Sequence, residues 1–211
     1  MNELRYTLLG DGSSDRALMP ILTWWLREHL PHLPIQGQWA DLGRSPQPPK
    51  SLVDRIHRSL DLYPCDLLFI HRDAERESYE SRATEINAAL CQVTPPLQIS
   101  PICVIPIRMT EAWLLIDEQA IREAADNPKG RKRLDMPNTD RLEDLPDPKE
   151  KLYELFRLAS ELKGRRLKEF QISDRVHRLA DLISDFSPLR QLSAFGKLEN
   201  KLQSFAQGLK F

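Results

Sequence analysis

Five acids in this chain follow directly on apolar runs, in short polar turns. Asp11 and Asp15 lie in Gly10-Asp11-Gly12-Ser13-Ser14-Asp15, Asp73 and Glu75 in His71-Arg72-Asp73-Ala74-Glu75, and Glu111 in Arg108-Met109-Thr110-Glu111. Carboxylates brought within a few ångströms of each other repel and raise their own pKa values unless a cation shares them. Hard oxygen donors on short turns suit Mg²⁺ or Mn²⁺, ions that keep some waters and meet substrate phosphates. With a phosphodiester as substrate, such an ion stabilises charge on the phosphoryl oxygens and helps to deprotonate an attacking water, with one carboxylate as general base. Plainer roles compete at two of the five. Asp15 is a good helix cap, and Glu111 is a favourable charge at a helix start.

The elements that must position these acids are legible as periodicity. Leu67 to Ile70 is an unbroken apolar run and predicts a strand buried on both faces. Leu4 to Leu9 predicts a first strand, Ile35 to Leu42 a second one weakened by Gly37, and Ile99 to Ile107 a fourth. Pro101 and Pro106 restrict the pairing of that last strand and predict an edge position or frayed ends. Between the strands, Ala17, Leu18, Ile21, Leu22, Trp25 and Leu26 recur at helical spacing, with Pro20 a kink or late start. Ser51 to Leu62, the stretch from Arg76 to Val93, and AWLLIDEQAIREAA from Ala112 predict three more helices, and GRSPQPPK from Gly43 a loop.

Four strand-helix units in succession imply an α/β fold with a mostly parallel four-stranded sheet, right-handed crossovers and helices on both faces. Ligands of such sheets bind outside the carboxyl ends of the strands, the edge on which all five acids stand. Residues 1–126 make this core, 127–148 a proline-rich polar loop or insertion, and 149–211 a helical C-terminal part packed on the core.

Composition bounds the rest. The chain has 211 residues, 41% hydrophobic and 29% charged, as expected of a globular protein rather than a disordered one. No apolar run approaches the roughly 18 residues that span a bilayer, and MNELRYTLLGDG carries no secretory signal, so the expected location is the cytoplasm, without membrane contact. Three widely spaced cysteines argue against a disulfide framework and for buried thiols. The net charge of -1 hides local basic clusters. Arg72 and Arg108 are placed to hold a phosphate, and Lys163, Arg165, Arg166 and Lys168 to follow a nucleic-acid backbone. His71 reads as structural.

The combination of D-G-S-S-D after the first strand, D-A-E after the third and T-E-A-W-L-L after the fourth resembles the Toprim fold. It is most similar to the small Toprim-like proteins related to the nuclease domains of overcoming-lysogenization-defect (OLD) proteins, often met in bacterial defence loci. The likeness covers residues 4–125, and the closing SPLRQLSAFGKLENKLQSF also resembles the tail of those proteins. The resemblance implies a metal centre used for strand cleavage or nucleotidyl transfer. Asp11 then stands for the first acid, Asp73 and Glu75 for the acid pair, Glu111 for an additional acid, and Asp15 for an acid flanking the first turn. Asp11 replaces a glutamate of the family pattern, and the pair is Asp-x-Glu rather than Asp-x-Asp. Metal binding tolerates both changes better than catalysis does.

The expected activity is thus a Mg²⁺- or Mn²⁺-dependent nuclease or phosphodiesterase acting on DNA or RNA, with an ATPase partner protein and a homodimer as possible assemblies. The alternative is a non-catalytic partner or effector-binding subunit that keeps the fold. Other α/β chemistries lack their motifs. Asp15 replaces the third glycine of a dinucleotide fingerprint, GK[ST] and G-x-S-x-G are missing, and LLGDGSS does not supply the aspartate pair of a haloacid-dehalogenase-type phosphatase.

Overall fold

Strands β1 (Leu4–Leu9), β2 (Ile35–Trp39), β3 (Leu67–His71) and β4 (Ser100–Val104) form one sheet in the order β2-β1-β3-β4, every pair parallel, in a computed structural model that describes residues 2–43 and 47–209. The architecture is the predicted α/β one. β3 is central and buried throughout, as its unbroken apolar run requires. β4 takes the edge, where Pro101 removes no ladder hydrogen bond that a further strand would need. β2 takes the other edge, and its Gly37 has a packing reason: a Cβ there would come within 2.4 Å of the Tyr6 ring. That ring is fully buried, and its hydroxyl bonds Thr23 Oγ1 at 2.6 Å and donates to the Met19 carbonyl at 3.1 Å, fastening the sheet to the next helix.

Register aligns the carboxyl ends of the strands, since Leu9 pairs with Ile70 and Ile70 with Cys103. From β1 the chain moves outward to β2, then returns past β1 to β3 and on to β4, so the topological switch point lies between the ends of β1 and β3. Right-handed crossovers place α1 (Leu18–His29) on one face and α2 (Leu52–Leu62) and α3 (Tyr79–Gln92) on the other. Accordingly α2 packs on α3, while α7 (Ile172–Leu182) packs on α1 and α8 (Ser193–Gly208) on β4.

Three expectations are refined. A 3-10 turn at Ser13–Ala17 precedes α1, so Pro20 falls in the first helical turn, where its missing N–H costs nothing. The helix predicted from Ala112 is broken into a 3-10 turn, Thr110–Leu114, and α4 (Glu118–Ala124). The Asp117 carboxylate accepts the Ala120 N–H at 2.9 Å and starts the second piece. Insertion 127–148 is largely irregular but pinned. Buried Arg122 donates to the carbonyls of Gly130 and Lys132, and Glu161 Oε1 accepts the N–H groups of Arg131 and Lys132. Of the predicted loop 43–50, residues 44–46 lie outside the described residues.

Beyond the insertion come α5 (Pro148–Ser160), capped by Asp147, and the short α6 (Gly164–Lys168). One apolar core runs from Leu4 to Leu202, uniting sheet and C-terminal helices. Cys65 and Cys103 are buried and Cys91 is exposed. Among the described residues no helix is long and apolar enough to cross a membrane.

Candidate metal and phosphate site

The turn after β1 is built around Asp15. Its Oδ2 accepts the backbone N–H groups of Asp11 at 2.7 Å and Gly12 at 3.0 Å, and its Oδ1 accepts the Ser14 hydroxyl at 3.2 Å. Gly10 makes room for this, because a Cβ there would stand 2.7 Å from Asp15 Oδ2 and 2.8 Å from Trp39 Cη2. Asp15 is therefore a turn-holding acid first, as its capping position suggested, although its carboxylate also faces the site.

From β3 comes His71, whose Nδ1 lies 3.0 Å from the Val104 carbonyl and, since that oxygen only accepts, carries a proton. Its Nε2 faces Asp73 Oδ1 at 3.4 Å, Asp15 Oδ2 at 3.7 Å and Thr110 Oγ1 at 3.4 Å. Thr110 in turn donates to Asp73 Oδ1 at 3.2 Å. The buried histidine thus ties together the ends of β1, β3 and β4. Asp73 is pushed up to about 6, first by burial and then by the charges of Asp15 and Glu111, with His71 and the Thr110 hydrogen bond opposing. Glu111 is buried too, with Lys149 Nζ at 3.8 Å its ion-pair partner.

Asp11 and Glu75 sit outside that cluster. Asp11 is held by Arg72 Nε at 2.8 Å and by the Arg55 guanidinium, which also donates to the Gly10 carbonyl. Arg72 continues to Glu85 at 2.9 Å. Glu75 has a left-handed backbone, φ 54°, and its side chain is 66% exposed, 3.6 Å from Arg82. Its carboxylate pairs with Arg82, whereas that of Asp73 meets His71 and Thr110. Arg108 is also left-handed, φ 64°, and its guanidinium reaches the Glu75 carbonyl at 3.4 Å. Hydrogen bonds from Arg72, Ala74 and Glu75 N–H to the carbonyls of Val104, Pro106 and Arg108 carry β3–β4 pairing beyond the sheet and set this geometry. Lys163, Arg165, Arg166 and Lys168 are exposed on and beside α6, and among the described residues none is ion-paired to a site residue.

Two contributors carry no local signal in the sequence, Arg55 on α2 and Thr110 beside Glu111; His71, expected to be structural, is also central to the cluster. Among the described residues, no three His, Cys, Asp or Glu side chains stand together as a ready metal-binding group. Mg²⁺ asks for less: one or two carboxylates, with substrate phosphate and waters completing its shell. Asp73 and Glu111 supply hard oxygen donors of that kind, and their mutual repulsion with Asp15 is what a cation relieves. The donor set therefore fits a hard divalent ion in chemistry, with Asp73 its central member. Compared with known proteins, the chain matches no family model, no curated protein and no solved structure.

Proposed function

We propose that this chain is a Mg²⁺- or Mn²⁺-dependent phosphodiesterase of Toprim-like kind that cuts nucleic acid. The observation that carries the reading is the convergence of Asp15, Asp73 and Glu111 at the carboxyl ends of three adjacent strands, beside Arg55 and Arg72. Asp73 and Glu111 would hold the ion, which when bound supplies positive charge to the phosphoryl oxygens and acidifies a water. Arg72 and Arg55 present planar guanidinium groups suited to phosphate oxygens. A phosphate that draws them over releases the Asp11 carboxylate, which then accepts a proton from the attacking water. Asp15 keeps the turn in shape, and His71 with Thr110 orients Asp73.

The double clamp on Asp11 and the outward Glu75 favour one other reading, a non-catalytic subunit that binds the same phosphates without cutting. Incubation of the protein with supercoiled plasmid and with a single-stranded oligonucleotide, in Mg²⁺, in Mn²⁺ and in EDTA, separates the two. Cleavage that needs metal and falls by at least about 100-fold in Asp73→Asn is expected, the scale of losing a centre of charge stabilisation. Retained phosphate binding with no cleavage in any metal would favour the subunit.

A further inference from the structure

A cleft of about 410 Å³ opens beside the Asp11 turn, between the ends of β1 and β2. Its size falls within the range of small-ligand sites, roughly 300–1,000 Å³. Gly10 and Gly12 form one wall, Trp39 and Asp41 another, and Lys50 and Arg55 supply positive charge. Of the four tryptophans, Trp24, Trp25 and Trp113 each pack against another ring, that of Phe186, His29 and Phe195 respectively. Trp39 has no such ring partner among the described residues. It is half-buried, and its ring edge is seated on Gly10, where any Cβ would collide with it. A large flat ring left partly open in a cleft is a stacking surface.

The charges around it select the ligand. Lys50 is exposed and forms no ion pair among the described residues, and Arg55 enters from α2 at the mouth of the Asp11 site. Arg55 is paired with Asp11 and donates to the Gly10 carbonyl, so the unpaired positive charge among the described residues of the cleft is that of Lys50. An aromatic platform and an unpaired cation within one cleft match a nucleotide: base on Trp39, phosphate at Lys50.

We infer that this cleft takes one unpaired nucleotide of a single-stranded nucleic acid and leads the adjoining phosphodiester to the acids at the switch point. The inference rests on the phosphodiesterase reading and adds the substrate class to it. A base paired within a duplex cannot offer its face to Trp39, so unpaired strands and frayed ends are preferred.

The test is binding in EDTA, followed by fluorescence anisotropy of a short labelled single strand, with a mononucleotide and a fully paired duplex as competitors. Trp39→Ala should weaken the single strand roughly ten-fold, the scale of one lost base–aromatic stack. Trp39→Phe should restore most of that loss, and Lys50→Glu, on an exposed loop, should weaken binding and flatten its salt dependence. Duplex competition should be unchanged in Trp39→Ala. Thermal melting checks that Trp39→Ala still folds, and Lys50→Glu tests the cleft independently of that variant. Wild-type affinity in both variants, or no binding of the single strand by the wild type, would overturn the inference. A mononucleotide that competes as well as the strand would do so too, assigning the cleft to a free nucleotide. No metal is needed for this measurement, so its result is distinct from that of the cleavage assay. Intact stacking without cleavage sinks only the phosphodiesterase, and cleavage with indifferent Trp39 and Lys50 sinks only the cleft.

Discussion

The carboxyl group of Asp73 titrates at about 6 instead of 3.8, because burial and the neighbouring charges of Asp15 and Glu111 disfavour its ionised form. The folded chain therefore holds that proton more tightly than the unfolded chain does, and stability falls as pH rises from about 4 to about 6. At neutral pH the cost is of the order of 2–3 kcal/mol, from about two pKa units at 1.36 kcal/mol each. Asp73→Asn keeps an acceptor for the Thr110 hydroxyl and removes the buried charge. We expect its melting temperature at pH 7 to exceed the wild-type value by a few °C, with the difference vanishing near pH 4. Addition of Mn²⁺ should raise the melting temperature of the wild type and not of the variant. A variant that melts lower at pH 7 would make Asp73 a structural residue.

At the scale of elements, the turn after β1 depends on close approach rather than on hydrogen bonds alone. Gly10→Ala should push Asp15 or the Trp39 ring aside and lower stability by about 1–3 kcal/mol, as overpacking does, measured by urea unfolding. Unchanged stability would mean that the turn yields freely. This dependence was half visible beforehand. The alternation of apolar runs and polar turns located β1, β3 and the helix after Ser51 almost to the residue, because buried strands and capped helices have strong local signals. Other features have no such signal. Nothing in AWLLIDEQAIREAA alone shows that Asp117 restarts the helix, since an aspartate on a helix surface reads the same way. Acids at i and i+2 share a side only while the backbone stays extended, and a left-handed Glu75 is unforeseeable at a residue that rarely adopts it. Arg55 reaches Asp11 across a gap that only the tertiary packing of α2 defines.

For the molecule as a whole, the C-terminal helices are part of the same body as the sheet. Trp25 Nε1 donates to Glu199 at 2.9 Å, Arg190 pairs with Glu28 at 2.9 Å, and Lys197 pairs with Glu80 at 2.5 Å, so α8 and the turn before it are tied to α1 and α3. The two ion pairs are exposed and add little individually; the shared apolar core supplies most of the cohesion. Within that body the two halves of the site are anchored differently, which amide hydrogen exchange resolves. The N–H groups of Arg72, Ala74 and Glu75 are bonded to carbonyls on the β4 side and should exchange as slowly as the central strands, at rates set by large-scale opening. Those of Asp11 and Gly12 are shielded by one carboxylate, and Asp15→Ala should speed their exchange selectively, leaving Ala74 and Glu75 slow. If Asp11 and Gly12 stay slow in that variant, something other than Asp15 holds the turn. On that expectation the acids after β3 move only with large-scale opening, while the turn beside them would open more often, leaving one wall of the site free to adjust as a phosphate arrives.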